Sequence, residues 1–209
     1  MKIISHRGFW HTPSEKNTET AFYRSFALGF GTETDVRDCM GELVISHDMP
    51  RGEEMTLTTL LALMGKDQQL LAINIKADGL AKLLCKTMSD YHRANWFVFD
   101  MSIPDTREHL VVGNPVFARM SEVEQNPVWF DRVEGVWLDS FENEWFDLAL
   151  ISGLLNQGKR VCVVSSELHG REYTSLWTKL LPLATADLLI LCTDFPVKAK
   201  EFFEGFPSK

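Results

Sequence analysis

Lys2-Ile3-Ile4-Ser5-His6-Arg7-Gly8 opens the chain as a short apolar run that ends in polar residues, and this pattern recurs along the sequence. Runs of this length, bounded by polar residues and glycine, are typical of buried strands. The predicted strands are 2–5, 31–36, 70–75, 96–99, 116–118, 135–138, 160–164 and 188–191. A ninth short run, 43–46, follows closely behind the second.

Helical patterns separate most of these strands. The predicted helices are 18–28, 57–64, 80–91, 144–155, 172–181 and 197–203. Strands that alternate with helices indicate a parallel sheet, and eight such units predict a small (β/α)₈ TIM barrel of the α/β class. At 209 residues the chain is expected to form one domain, 1–209.

Polar residues follow every predicted strand. They are His6 and Arg7, Glu33 and Asp35, Asn74 and Lys76, Asp100, Arg119, Asp139, Ser165 with Glu167, and Asp194. The active site of a (β/α)₈ barrel lies at the carboxyl ends of its strands, whereas an open doubly wound sheet concentrates polar groups at one switch point. The distribution favours the barrel, although loops that follow strands are commonly polar for solvation alone.

The bulk composition excludes some classes of function. With 21 Lys and Arg against 29 Asp and Glu, the net charge is −8, which argues against a nucleic-acid partner. The four cysteines have no metal-binding spacing. Cys162 and Cys192 lie in apolar runs and are expected to be buried free thiols, which favours a reducing cytoplasm. No long apolar segment marks a signal peptide, and no run approaches the ~18 apolar residues of a membrane span, so no membrane insertion is expected.

Two carboxylates stand close together in Gly31-Thr32-Glu33-Thr34-Asp35-Val36. Residues two apart on a strand point to the same side, so these like charges need something positive between them. A hard divalent cation, Mg²⁺, Ca²⁺ or Mn²⁺, is the simplest candidate. The alternative is that both face solvent from an edge strand, which the apolar neighbours Phe30 and Val36 disfavour.

His6 and His47 each end a run that reads Ile-Ser-His, and Arg7 follows the first of them. Phosphodiester cleavage needs a cation against the phosphoryl oxygens, a group that takes a proton and a group that gives one. These residues can supply that chemistry, although a histidine at a strand end is often structural. Asp48 either orients His47 or caps the next turn, and Gly8 would let the backbone approach a ligand closely.

These segments resemble the start of the glycerophosphodiester phosphodiesterase family. That family has a strand ending in His-Arg-Gly, then Glu-Asn-Thr before a helix with Ala-Phe, then Gly-x-x-x-Glu-x-Asp-Val and Val-x-x-His-Asp. The matching segments here are 6–8, 17–22, 29–36 and 44–48. The family's last strand ends in Thr-Asp-x-Pro, which matches 193–196, so the resemblance spans the chain.

The resemblance implies a divalent-metal phosphodiesterase on a (β/α)₈ barrel, similar to phosphatidylinositol-specific phospholipase C and sphingomyelinase D. The implied cofactor is Mg²⁺ or Ca²⁺. The implied roles are acid/base catalysis for His6 and His47, phosphate binding for Arg7, substrate binding for Lys76, and metal binding for Glu33 and Asp35.

The sequence departs from the family in three places. Asn74 stands where the family has a further metal-binding Glu, and an amide oxygen can still coordinate a hard cation without contributing charge. Lys16 replaces the Glu of Glu-Asn-Thr, with Glu15 one residue early. The usual insertion after the second strand is missing, which predicts a more open site.

The resulting hypothesis is hydrolysis of a small phosphodiester, foremost a glycerophosphodiester to glycerol 3-phosphate and an alcohol, in lipid and glycerol metabolism. Two alternatives stay open: a non-catalytic barrel that binds a phosphorylated ligand, and a phospholipase-type lyase that forms a cyclic phosphate. The sequence does not decide the head group, the oligomeric state, or which histidine is acid and which base.

Overall fold

A computed structural model describes residues 1–65 and 69–205. The described chain forms two compact units. The N-terminal unit is His6–Val116, and the C-terminal unit combines Met1–Ser5 with the described residues from Phe117 onward. The single domain over residues 1–209 therefore stays a prediction.

Strands alternate with helices along the described chain. In order the elements are β1 (Lys2–His6), α1 (Glu19–Ala27), β2 (Gly31–Cys39), β3 (Glu42–Ile45), α2 (Leu57–Met64), β4 (Leu71–Ile75), α3 (Ala81–Asp90), β5 (Trp96–Phe99), α4 (Ile103–Val112), β6 (Phe117–Met120), β7 (Gly135–Leu138), α5 (Leu148–Asn156), β8 (Arg160–Val164), α6 (Thr174–Leu180), β9 (Leu189–Thr193) and α7 (Pro196–Glu204). Within the described residues no helix has the length and apolar character that a membrane span requires.

In the N-terminal unit, β2 pairs in parallel with β4, and β4 pairs in parallel with β5. The short strand β3 folds back on β2 as an antiparallel partner. All five residues of β4 and the first six of β2 are buried, as expected for parallel strands covered on both faces. The register places Asp35 beside Asn74, so the strand pairing itself brings two predicted metal ligands together.

In the C-terminal unit, four parallel pairings join β1 to β9, β9 to β8, β8 to β7 and β7 to β6. Apolar side chains of these strands, such as Leu138, Val163 and Leu191, pack with Ile151 and Trp177 from helices in one core. A side chain at Gly135 would clash with the neighbouring strand, because an added Cβ would lie 2.5 Å from the Arg160 carbonyl oxygen.

The element order and the parallel pairing confirm the predicted (β/α)₈ fold class. Among the described elements, the predicted strands all have counterparts, and the ninth run is the hairpin strand β3. Residues 46–56 lead from β3 directly to α2, so the expected absence of an insertion is also confirmed.

The helix α4 was not predicted from the sequence. Its apolar residues do not form one continuous face, and Pro104 resembles a helix breaker. Proline is compatible with the first turn of a helix, however, because the amide there has no partner within the helix. The Ser102 hydroxyl accepts a hydrogen bond from the Asp105 amide at 3.3 Å, and Gly113 ends the helix with a φ of 80°. The sequence signals for both ends of the helix were present, although the helical periodicity of its apolar residues was weak.

Candidate active site

The candidate site lies in the N-terminal unit, at the carboxyl ends of parallel strands. His6 ends β1 and Arg7 follows it, Asn74 lies near the end of β4 and Lys76 follows that strand, and the two carboxylates lie within β2. This arrangement follows from strand direction, since side chains at the carboxyl ends of neighbouring parallel strands share one edge of a sheet.

Asp35 is the centre of the site and is fully buried. The Arg7 Nε lies 2.9 Å from its Oδ2, and the Lys76 Nζ lies 3.4 Å from its Oδ1. The Asn17 side-chain amide donates a further hydrogen bond to Oδ2 at 2.9 Å. A buried carboxylate is tolerated only when its charge is compensated, and two cations with one amide provide that compensation here.

Asn17 is a site residue that sequence reasoning did not assign. Its backbone amide donates to the Arg7 carbonyl at 2.9 Å, and its side-chain oxygen accepts from the Thr34 hydroxyl at 2.9 Å. Both Arg7 and Asn17 have positive φ, at 59° and 61°. Asparagine adopts this left-handed conformation more readily than most residues, which was the available signal.

Glu33 is 1% exposed, and its Oε2 lies 3.9 Å from the Nε2 of His6. Burial raises the pKa of Glu33 well above its usual value, and the neighbouring Asp35 charge raises it further. Arg7 and Lys76 oppose this rise in the pKa but do not cancel it. Burial beside Asp35 therefore disfavours the charged form of Glu33 unless a further positive charge compensates it.

Three buried oxygens of the site accept no hydrogen bond from any described residue: Glu33 Oε2, Asp35 Oδ1 and Asn74 Oδ1. Two carboxylate oxygens and an amide oxygen are the ligands that Mg²⁺ and Ca²⁺ prefer, so the residues fit a hard divalent cation. No group of three or more His, Cys, Asp and Glu side chains in the described chain has a metal-binding arrangement. In the candidate site the third oxygen belongs to the amide of Asn74 and not to a carboxylate.

Asn74 is oriented by Asp100, a contact that the sequence analysis did not predict. The Asn74 amide nitrogen donates to Asp100 Oδ2 at 3.3 Å, so its oxygen is the atom left to face a ligand. Asp100 follows β5 and has a φ of 66°, which turns the chain directly after the strand. In the sequence, the signal for a role of Asp100 in the site was its position directly after a predicted strand.

His47 lies on the exposed side of the unit, with 49% of its side chain accessible. Its Nδ1 is 2.9 Å from Asp48 Oδ1, and this hydrogen bond is the main reason that the pKa of Asp48 lies below its usual value. The Arg37 side chain donates to the His47 carbonyl at 3.1 Å. Asp48 thus orients His47, but within the described residues no side-chain contact joins His47 to the buried carboxylates.

The turn after β1 allows close packing against α1. Gly8 has a φ of 83°, and an added Cβ would lie 2.7 Å from the Cβ of Ala21. Its amide donates to the Thr32 hydroxyl at 3.0 Å, which joins the turn to β2. This glycine is needed for the packing of the turn against α1.

Glu15 does not replace the missing carboxylate of the Glu-Asn-Thr motif. Its Oε2 lies 2.6 Å from Arg24 Nη1 and accepts the His11 amide at 2.8 Å. The Arg24 guanidinium is the main reason that the pKa of Glu15 falls to about 2. Glu15 is therefore committed to holding the loop against α1.

In the C-terminal unit, polar residues at the strand ends bond to one another. The His169 Nε2 lies 2.7 Å from Asp139 Oδ1. Glu167 accepts the Asp194 amide at 3.0 Å and the hydroxyls of Ser165 and Thr193. These bonds hold several polar side chains at the strand ends of this unit to one another.

No protein-family model and no curated protein matches the chain. Several solved structures, in contrast, are similar to the chain. A candidate glycerophosphoryl diester phosphodiesterase from Agrobacterium tumefaciens has a TM-score of 0.76 at 14% identity, over 98% of both chains. A glycerophosphoryl diester phosphodiesterase from Parabacteroides distasonis has a TM-score of 0.71 at 11% identity, over 100% of this chain and 88% of that one.

An Oleispira antarctica phosphodiesterase, solved in complex with its product sn-glycerol-3-phosphate, has a TM-score of 0.67 at 15% identity. The match covers 98% of this chain and 97% of the Oleispira antarctica chain. At these identities the likeness establishes the fold. The chain thus has the (β/α)₈ fold of the glycerophosphodiester phosphodiesterases, as the motif resemblance implied.

Proposed function

We propose that this protein is a metal-dependent phosphodiesterase that hydrolyses a small glycerophosphodiester to glycerol 3-phosphate and an alcohol. The observation that carries the proposal is the buried Glu33–Asp35 pair, flanked by Arg7, Lys76 and His6 at one strand edge. The shared fold with glycerophosphodiester phosphodiesterases supports it.

The two cations serve the substrate as well as the carboxylates. A phosphodiester is an anion, and its charge moves onto the phosphoryl oxygens as the attacking oxygen approaches. The Arg7 Nε faces Asp35, which fixes the plane of the guanidinium. We assign its terminal nitrogens and the Lys76 ammonium to the phosphate, because planar guanidinium donors suit two phosphate oxygens at once.

Glu33, Asp35 and Asn74 would hold the divalent cation, Mg²⁺ or Ca²⁺, through the three oxygens that accept no hydrogen bond. Bound there, the cation would supply positive charge against the phosphoryl oxygens. The chain's own side chains then position the substrate and move protons.

His47 and His6 carry the proton transfers. The Asp48 carboxylate accepts a hydrogen bond from the Nδ1–H of His47, so the neutral imidazole has its lone pair on Nε2, as a general base requires. We therefore assign His47 to the attacking water and His6, beside the Glu33 carboxylate, to protonation of the leaving alcohol. We also place the protein in the cytoplasm, since all four cysteines lie in the described chain and are free.

The test is phosphorus NMR of glycerophosphodiester turnover with Mg²⁺ or Ca²⁺. Wild-type protein should release glycerol 3-phosphate, and chelator should abolish the reaction. His6→Asn should lower kcat by a factor of at least about 100, the usual contribution of a general acid or base. His92→Asn is the matched control, because His92 is exposed beyond α3 and should leave the rate unchanged.

Each alternative gives a distinct result. Turnover that persists in excess chelator contradicts the metal assignment. A cyclic phosphate as the end product identifies the lyase reaction. Binding of glycerol 3-phosphate without turnover of any diester, in either metal, identifies a non-catalytic barrel.

A further inference from the structure

Asp100 lies directly after β5 and is hydrogen-bonded to a residue of the candidate metal site. In the strand register Asn74 pairs with Phe99, so Asp100 is one residue beyond this pair on the neighbouring strand. The Asn74 amide nitrogen donates to Asp100 Oδ2 at 3.3 Å. We name these two residues the Asn74–Asp100 pair.

The Asn74–Asp100 pair has one hydrogen-bonded arrangement. An ionised carboxylate accepts hydrogen bonds and donates none, whereas a side-chain amide has a donating end and an accepting end. Asp100 therefore bonds the nitrogen of Asn74 and not its oxygen. Asn74 is 8% exposed, and its oxygen is buried and accepts no hydrogen bond from any described residue.

The held amide oxygen lies among other acceptors. Asn74 is the register partner of Asp35, whose Oδ1 is also buried without a hydrogen bond. The Lys76 Nζ approaches this Oδ1 at 3.4 Å, which is the distance of an ion pair. Neighbouring acceptor oxygens disfavour one another unless a positive charge lies close to all of them. A reversed amide would instead place a donor beside Asp35, and the bond to Asp100 opposes that reversal.

We propose that Asp100 is a positioning residue for the divalent cation, because it holds the Asn74 amide with its oxygen, and not its nitrogen, on the side of the site. The inference rests on the metal-dependent phosphodiesterase proposed above and adds a residue to that same site. Residues that orient metal ligands strongly affect binding, and losing one typically lowers metal affinity about 10- to 100-fold.

The experiment measures the affinity for Mg²⁺ and Ca²⁺ by titration calorimetry in four proteins that differ only at positions 74 and 100. Asp100→Asn should bind the cation at least about tenfold more weakly than wild type, because an amide at position 100 can also donate and no longer prevents reversal of the Asn74 amide.

The decisive comparison repeats this change in a second background. In Asn74→Asp, the further change Asp100→Asn should lower the affinity less than about twofold, because a carboxylate at position 74 has no donating end that could turn toward the cation. A role of Asp100 through its charge alone would lower the affinity equally in both backgrounds.

Asp78→Asn is the control for the lost charge. Asp78 follows the same strand as Asn74, is exposed, and accepts the Ser102 hydroxyl at 2.7 Å, so this variant should keep the wild-type affinity. Urea unfolding in chelator checks that each variant is folded. If Asn74→Asp is unfolded, Asn74→Glu serves as the second background.

The outcomes separate this inference from the proposed function. If wild-type protein binds neither cation, the metal assignment fails and the inference fails with it. If wild type binds a cation and Asp100→Asn binds it equally well, or if the loss is the same in both backgrounds, only the inference is overturned. A loss with asparagine at position 74 and none with a carboxylate there supports it. The comparison measures binding and not turnover, so an absence of diester hydrolysis would contradict the proposed function alone.

Discussion

At the scale of single residues, Asn74 sets the charge of the candidate metal site. Its oxygen stands beside Asp35 in the strand register, and its nitrogen donates to Asp100. In the proposed metal site, an amide would add a ligand atom to Glu33 and Asp35 without adding charge, which would limit the affinity for a hard cation.

Asn74→Glu should therefore bind Mg²⁺ or Ca²⁺ more tightly, on the order of tenfold, because a third carboxylate adds charge to the ligand set. Without metal the same variant should be less stable than wild type, since the new carboxylate faces Asp100 and loses the hydrogen bond. Titration calorimetry measures the affinity and urea unfolding the stability. Equal affinity in both proteins would exclude position 74 from the ligand set.

His109 shows how a buried histidine couples stability to pH. It is fully buried on α4, with Nδ1 3.0 Å from the Asn114 amide nitrogen and Nε2 3.4 Å from Asp105 Oδ2. The amide must donate, so Nδ1 accepts and the proton sits on Nε2, facing Asp105. Burial lowers the pKa of His109 below its ordinary 6.5, and Asp105 offsets this only in part.

Because the folded pKa of His109 is lowered, the unfolded chain takes up the proton first on acidification. The stabilisation is complete above about pH 6.5 and is lost as the pH falls toward the folded pKa, by at most about 1.4 kcal/mol per pH unit. His109→Gln should flatten this slope in urea midpoints measured from pH 7.5 to 5.5. His92→Asn should keep the wild-type slope, and a slope unchanged in His109→Gln would assign the loss to other groups.

At the scale of elements, the junction of β1 with α1 positions His6 and Arg7. Gly8 has both a positive φ and a close neighbour, since an added Cβ would lie 2.7 Å from the Ala21 Cβ and 2.8 Å from its carbonyl carbon. Gly29, after α1, has a φ of 80° and open space around it. Alanine substitutions at Gly8 and Gly29 therefore separate the free-energy cost of a left-handed backbone from the cost of close packing.

Gly8→Ala should destabilise the protein by about 3 kcal/mol, the sum of left-handed strain and overpacking. Gly29→Ala should cost about 1 kcal/mol, from the backbone conformation alone. Chemical unfolding measures both. Gly8→Ala should also reduce diester hydrolysis in the folded protein, because the displaced turn carries Arg7. Equal costs at the two positions would show that the turn adapts to a side chain.

At the scale of the whole molecule, a bound cation should raise the thermal stability. A ligand at 100 times its Kd adds about 2.7 kcal/mol, which corresponds to a rise in Tm of roughly 5–10 °C for a chain of this size. The shift should occur with Mg²⁺ or Ca²⁺ in wild type and disappear in Asp35→Asn.

Asp38→Asn is the matched control for the thermal shift. Asp38 lies on the same strand, β2, but is exposed, so this variant loses the same charge outside the site. Differential scanning calorimetry with and without chelator gives the comparison. A shift that survives in Asp35→Asn would place the cation elsewhere in the molecule.

The strand succession could be predicted because its signals are local. Buried parallel strands are short continuous apolar runs, and their polar ends are visible in the sequence. The helix α4 was missed for a related reason, since its amphipathic period is weak and only its caps indicate it. In the site, the sequence indicated Arg7, Glu33, Asp35 and Lys76. The structure pairs Arg7 and Lys76 with the buried Asp35, and it places Glu33 beside His6.

The sequence by itself determined the fold class and the residue types of the site, because strand length, apolar runs and carboxylate spacing are properties of short segments. Only the tertiary structure decided that Asn17 and Asp100 support the cluster, that Glu15 belongs to Arg24, and that Lys16 lies over Trp10. These contacts join residues from different strands and loops, and their energies depend on burial and distance that no local pattern encodes.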